Sequence, residues 1–167
     1  MKKLLIVLFA FLLSNGLFAQ EKRASPLINK TASYENIDIN INYGETSMKG
    51  REIFGNLVPY GKVWRTGANE ASVLEFNKDV KLNGKLVKAG KYSLFTIPGE
   101  ESWTIILNSI WDQWGAYNYD KSKDVMRFEV KAQDVEKHEK LNILLSEEGM
   151  IKIIWEETAV EFQVEKA

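Results

Sequence analysis

Apolar and polar side chains alternate with a period of two through most of this chain, and turn-forming residues break the alternation at short intervals. In Ile37, Ile39, Ile41 and Tyr43 the apolar side chains are separated by Asp38, Asn40 and Asn42, the pattern of a strand with one buried face. Met126, Phe128 and Val130 repeat it against Arg127 and Glu129, as do Leu141, Ile143 and Leu145. Between Val80-Lys81-Leu82 and Lys85-Leu86-Val87 stands Asn83-Gly84, a strong hairpin signal because both turn positions need positive φ. The unbroken apolar run within Trp103–Leu107 suits a central strand. No amphipathic helical pattern exceeds two turns. These features predict an all-β fold, an antiparallel β-sandwich or partly closed barrel of about nine or ten short strands. Ser109 to Asp120 reads as the longest irregular segment, and Gln133 to Lys140 as a charged connection carrying the only histidine, His138.

Ahead of this pattern, Lys2 and Lys3 precede an apolar run from Leu4 to Leu13, followed by Ser14-Asn15-Gly16 and Leu17-Phe18-Ala19. That order matches a secretory signal peptide over residues 1–19, cleaved between Ala19 and Gln20. The run falls short of the roughly 20 residues a membrane-spanning helix requires, so no membrane span is expected after cleavage. The expected location is periplasmic or secreted, with an extended lead-in over 20–33 and one β-rich domain over 34–167. Cleavage would remove two lysines and no acid, taking the net charge from −1 to −3. Lysines and acids are interspersed, with no basic stripe of the kind that binds nucleic acid. The chain has no cysteine, so a disulfide framework is excluded and the core must hold the fold. Nothing in the sequence specifies an oligomeric state.

Several long stretches resemble one known family. Lys49-Gly50-Arg51-Glu52-Ile53-Phe54-Gly55 and Val58-Pro59-Tyr60-Gly61-Lys62-Val63-Trp64-Arg65-Thr66-Gly67-Ala68-Asn69-Glu70-Ala71 are similar to the signature of DUF2911, a bacterial family of unknown function. The likeness continues through Ala89–Gly99, Trp103–Ile106, Trp114-Gly115, Tyr119-Asp120 and Asp124–Arg127. The resemblance implies an exported β-rich domain and supplies no catalytic residues.

Two clusters concentrate the polar chemistry. In Trp64–Glu70, Gly67 and Ala68 permit close backbone approach, Arg65 offers a fork for carboxylate or phosphate, Asn69 donates and accepts, and Glu70 accepts or acts as a base. Read as a site, this is a polar ligand pocket. Read as scaffold, Arg65 pairs with Glu70, Asn69 caps a turn and Trp64 enters the core. The second cluster, Trp111 to Asp120, sets Trp111, Trp114, Tyr117 and Tyr119 beside Asp112, Gln113, Asn118 and Asp120. Rings for stacking and polar groups for hydroxyls suit a sugar-binding surface, and the same residues serve equally to plug the end of a sandwich. Four large rings exceed what one loop buries, so at least one should be exposed or line a cleft.

The expected function is binding of a small polar ligand, a carbohydrate or envelope component, in a cleft between the clusters, through Arg65, Asn69, Glu70, Trp111, Trp114, Tyr117, Tyr119 and Asp120. A hydrolase or isomerase using Glu70 as base and Arg65 as charge stabiliser is the alternative from another class. A structural envelope or interaction protein is the third. One histidine and no cysteine argue against a metal site, and the sequence lacks a Gly-Lys-Ser/Thr phosphate loop and a Ser-centred elbow. No cofactor is expected.

Overall fold

The computed structural model describes residues 23–167. The leader and its cleavage point, read over residues 1–20, lie outside them. Glu35 and Asn36 both take positive φ, 48° and 63°, which reverses the chain in a two-residue turn that matches strand twist. Leu27–Tyr34 (β1) thereby pairs antiparallel with Ile37–Gly44 (β2). Residues 27–33, which sequence marks only as part of an extended lead-in, thus belong to a hydrogen-bonded edge strand. Its exposed and half-buried residues alternate, but too few are strongly apolar for the period to stand out.

Beyond a long excursion from Glu45 to Ala71, the chain forms Ser72–Phe76 (β3), Val80–Leu82 (β4), Lys85–Val87 (β5), Gly90–Ile97 (β6), Ser102–Asn108 (β7), Asp124–Lys131 (β8), Gln133–Leu145 (β9) and Met150–Lys166 (β10). Two antiparallel sheets result, one of six strands in the order β1-β2-β3-β6-β7-β8 and one of four in the order β5-β4-β10-β9. They form a sandwich rather than a barrel, because β8 touches β10 and β1 touches β9 at the sides without merging the ladders. The expected hairpin is present, with Asn83 and Gly84 at φ 49° and 72°. Strand β7 is internal and buried along most of its length, in agreement with its continuous apolar run. Among the described residues no helix is long and apolar enough to cross a membrane.

Ile39 and Ile41 of β2, Leu74 of β3 and Leu94 of β6 meet Leu141 and Ile143 of β9 and Ile151 and Ile153 of β10 in one continuous core. At one end of it Phe54, Trp64, Trp103 and Trp155 cluster edge-to-face, except for Trp64 and Trp155, which stack with centroids 5.9 Å apart at 19°.

Gln133 to Lys140 is not a loose connection but the first part of the 13-residue strand β9. Its charges sit on an edge strand of the smaller sheet, where side chains on both faces stay near water and alternation is lost. Such charges also discourage edge-to-edge pairing with another chain. His138 is half-buried there, opposite Glu156. The β9–β10 register slips on both sides of Glu156, which takes φ 56°. This irregularity turns the Glu156 carboxylate away from the ladder to accept the backbone N–H groups of Ile53 and Phe54 at 3.2 and 3.1 Å. A strand bulge thus anchors the long excursion that carries the polar motif.

Candidate functional site

The polar motif is built on the free edge of β6. Where β3 ends, Trp64 takes its place beside β6 and exchanges both backbone hydrogen bonds with Thr96, at 2.7 and 2.9 Å. Ser72 then donates its N–H to the Arg65 carbonyl at 3.1 Å, closing residues 66–71 into a loop with a fixed base. Thr66, fully buried, sits at φ 55°, a conformation that costs a β-branched residue about 1–3 kcal/mol. Its surroundings hold it there. The Thr66 hydroxyl lies 3.1 Å from that of Thr96, and the Ser72 hydroxyl donates to the Thr66 carbonyl at 2.9 Å. The far side of the loop lies on the end of β2, where Ala68 donates its N–H to the Gly44 carbonyl at 3.0 Å. A Cβ on Gly44 would fall 2.1 Å from the Ala68 oxygen, so only glycine permits this crossing.

The aromatic loop docks directly against this one. Ala71 donates to the Gln113 carbonyl at 3.1 Å and Gly115 to the Asn69 carbonyl at 3.0 Å, a short antiparallel bridge between Glu70 and Trp114. Beneath it, Phe95 and Ile106 on the outer face of the large sheet are covered by Ala71, Val63, Ala116 and Tyr119. Tyr119 packs edge-on against Phe95 at 5.1 Å. Its hydroxyl donates to Asp124 at 2.6 Å and accepts from Arg127 at 2.9 Å. Burial, first, and the Asp124 carboxylate raise its pKa above the ordinary tyrosine value. Asp120 caps the short 3-10 turn Lys121–Lys123 by accepting the Ser122 N–H at 2.8 Å. Tyr119 and Asp120 therefore hold the loop in shape. Trp111, Trp114 and Tyr117 stay exposed, at 44%, 58% and 81%.

Arg65 and Glu70 do not pair. The Arg65 Nε donates to the Gly67 carbonyl at 3.0 Å, while the Glu70 carboxylate accepts from Arg23. The side chains part because Glu70 bridges to Trp114 on one side of the loop, whereas Arg65 lies at its base beside Gly115, whose Cβ, if present, would be 3.6 Å from Arg65 Nη1. Asn69 itself takes φ 65° and donates from Nδ2 to the Ser25 carbonyl at 3.4 Å.

Two cavities flank the loop. One, of about 390 Å³, is lined by Glu70, Trp111, Asp112, Gln113 and Trp114 together with Asn42, Tyr43 and Lys91. The other, of about 430 Å³, is lined by Arg65, Asn69, Lys49, Arg51, Trp64 and Trp155 among others. The eight residues singled out from sequence thus divide. Glu70, Trp111 and Trp114 share the first cavity, Arg65 and Asn69 line the second, and Tyr117, Tyr119 and Asp120 line neither.

In the first cavity, Lys91 Nζ stands 5.1 Å from the centroid of the Trp111 ring. Gln113 Nε2 donates to the Ile110 carbonyl at 2.7 Å, leaving its buried Oε1 with no partner among the described residues. Burial alone pushes the Glu70 carboxyl up, but the hydrogen bond and charge of Arg23, with the Glu70 backbone N–H, outweigh it and leave the pKa below the ordinary value. A carboxylate held ionised in this way accepts hydrogen bonds well and is a weak general base at neutral pH. Among the described residues, no group of three or more His, Asp or Glu side chains is placed to hold a metal ion.

Arg23, Asn42, Lys49, Arg51 and Lys91 complete these surroundings and escaped the sequence reading. Arg23 lies 47 positions from Glu70, so no local spacing links them. Lys49 and Arg51 stand within the family-like stretch 49–55, the one signal that pointed toward them.

The arrangement defines a class, an antiparallel β-sandwich whose polar loop, pinned to a sheet edge and braced by an aromatic loop, separates two cavities. The chain belongs to the family described as a protein of unknown function, DUF2911, which it matches over residues 25–164. Comparison with curated proteins and with solved structures gave no match.

Proposed function

We propose that the chain is an exported domain that binds a small polar ligand, a neutral carbohydrate or carbohydrate-bearing envelope component, in the cavity between the Glu70 and Trp111–Trp114 segments. The observation that carries this reading is the pair of exposed indoles, Trp111 and Trp114, around the same 390 Å³ space as the Glu70 carboxylate and the Asp112, Gln113 and Asn42 side chains. Indole faces stack on the apolar faces of a sugar ring, and acceptors and amides around them take its hydroxyls. Export follows from the leader-like residues 1–19 alone. The depressed Glu70 pKa favours binding over acid–base turnover.

Calorimetric titration against a panel of neutral oligosaccharides tests the reading. Trp111→Ala and Trp114→Ala should each weaken binding about tenfold or more, as loss of a stacking ring does at about 1–3 kcal/mol, with melting unchanged because both rings are exposed. Glu70→Gln should weaken it modestly. Equal affinity in the tryptophan variants and the parent, or no binder in the panel, would remove the reading. Turnover of a bound sugar that Glu70→Gln abolishes would replace it with the hydrolytic one.

A further inference from the structure

The second cavity is lined by three cationic side chains, Lys49, Arg51 and Arg65, and by no carboxylate among the described residues. None of the three forms an ion pair within the described residues. Glu139 accepts from the backbone N–H of Lys49 at 2.8 Å and not from its ammonium, and Glu156, beside Trp155, is taken up by the backbone N–H groups of Ile53 and Phe54. The two arginines are held by carbonyls rather than by charges. Arg51 donates to the Met48 and Ser47 carbonyls at 2.8 and 2.7 Å, and Arg65 Nε to Gly67 at 3.0 Å. These bonds orient the guanidinium groups and, among the described residues, leave the Nη1 and Nη2 edge of Arg65 and the Nη1 of Arg51 without a partner.

Like charges gathered around a concave space repel one another and focus a positive potential into it. A bound anion reverses that cost and gains charge-assisted hydrogen bonds. The rest of the lining is apolar or neutral, with the Trp64–Trp155 stack as one wall and the Thr46 hydroxyl among the donors. A space of about 430 Å³ is in the range of small-molecule sites and far exceeds a bare ion. We propose that this cavity is a distinct anion site that takes a small organic molecule through a carboxylate or phosphate group, the anion on Arg65, Arg51 and Lys49 and the apolar body against Trp64. The site stands on its own residues and does not depend on sugar binding in the other cavity.

Acetate and inorganic phosphate serve as probes, titrated into the full chain at low ionic strength, where screening is least, and followed by tryptophan emission and calorimetry. A saturable response to either is expected, and the stronger of the two identifies the carboxylate or the phosphate as the recognised group. Arg65→Gln should lower that affinity about tenfold or more, the loss of a hydrogen bond to a charged group at about 1.5–3 kcal/mol. Because Arg65 also braces its loop, Lys49→Glu provides the second variant. The Lys49 ammonium makes no hydrogen bond or ion pair among the described residues, so this change breaks no bond of that group while it reverses its charge, and it should suppress anion binding with the fold retained in circular dichroism. Trp114→Ala, in the other cavity, should leave anion affinity as in the parent. The proposal is overturned if neither probe binds saturably, if Lys49→Glu and Arg65→Gln bind as the parent does, or if Trp114→Ala abolishes the response.

Discussion

Glu70 and Gly44 show how single residues fix this site. Glu70 has a folded pKa below the ordinary glutamate value of 4.5, with Arg23 holding it down against burial. The stability from this contact is therefore present above that value and is lost as pH falls through the lower, folded one. Both side chains are more than a third exposed, at 39% and 43%, so the contribution is small in salt and is best read at the carboxyl itself. In an NMR pH titration Glu70 should titrate below its ordinary value, and Arg23→Gln should move it upward. A Glu70 that titrates normally in the parent would show that the contact does not hold in solution. Gly44→Ala probes the crossing of β2 and the polar loop. With a Cβ 2.1 Å from the Ala68 oxygen, backbone must shift, and overpacking of this kind costs about 1–3 kcal/mol. Thermal unfolding should show a loss of about 2–4 °C per kcal/mol. An unchanged midpoint would mean that the loop lifts freely from β2.

At the level of elements, Glu156 joins the β9–β10 irregularity to the excursion carrying the motif. Glu156→Ala removes the acceptor of two backbone N–H groups and should destabilise by about 1–3 kcal/mol, with Glu156→Gln intermediate because one amide oxygen remains. Equal stability of all three forms in denaturant titration would remove this anchoring role. Elements of this kind mark the limit of what the sequence conveyed. Strands β2, β7 and β8 were legible because one buried face, or two, imposes a period. The Asn83-Gly84 turn was legible because its φ values restrict the residue types. The first part of β9, Gln133 to Lys140, was not, since an edge segment wet on both faces has no burial pattern to print on its residues, whereas Leu141, Ile143 and Leu145 at its far end do alternate. Within the site, the motif and the aromatic loop were both visible, and so was the exposure of at least one ring. Their division between two cavities was not. Which way Arg65 and Glu70 turn depends on partners such as Arg23 and Gly115, brought near by tertiary folding alone.

For the molecule as a whole, residues of both sheets contribute to one core, and the chain from β1 to β10 should act as one cooperative unit, as expected of a single domain. Far-ultraviolet circular dichroism and tryptophan emission should then report the same denaturation midpoint; two separated midpoints would split the sheets into independent units. Strand β2 also gives the sandwich two unlike ends. At Gly44 lie the loop crossing and the neighbouring cavities, held from outside by Arg23 and Ser25. Next to Ile37, Lys166 and Ala167 share a surface hollow with Glu35 and Asn36. Eight residues at about 3.3 Å each separate these ends by some 25 Å. A purification tag or fluorescent fusion attached after Ala167 would hang clear of both cavities. The same addition just ahead of Arg23 would pull on the segment that grips Glu70 and Asn69, and could alter the binding it was meant to report.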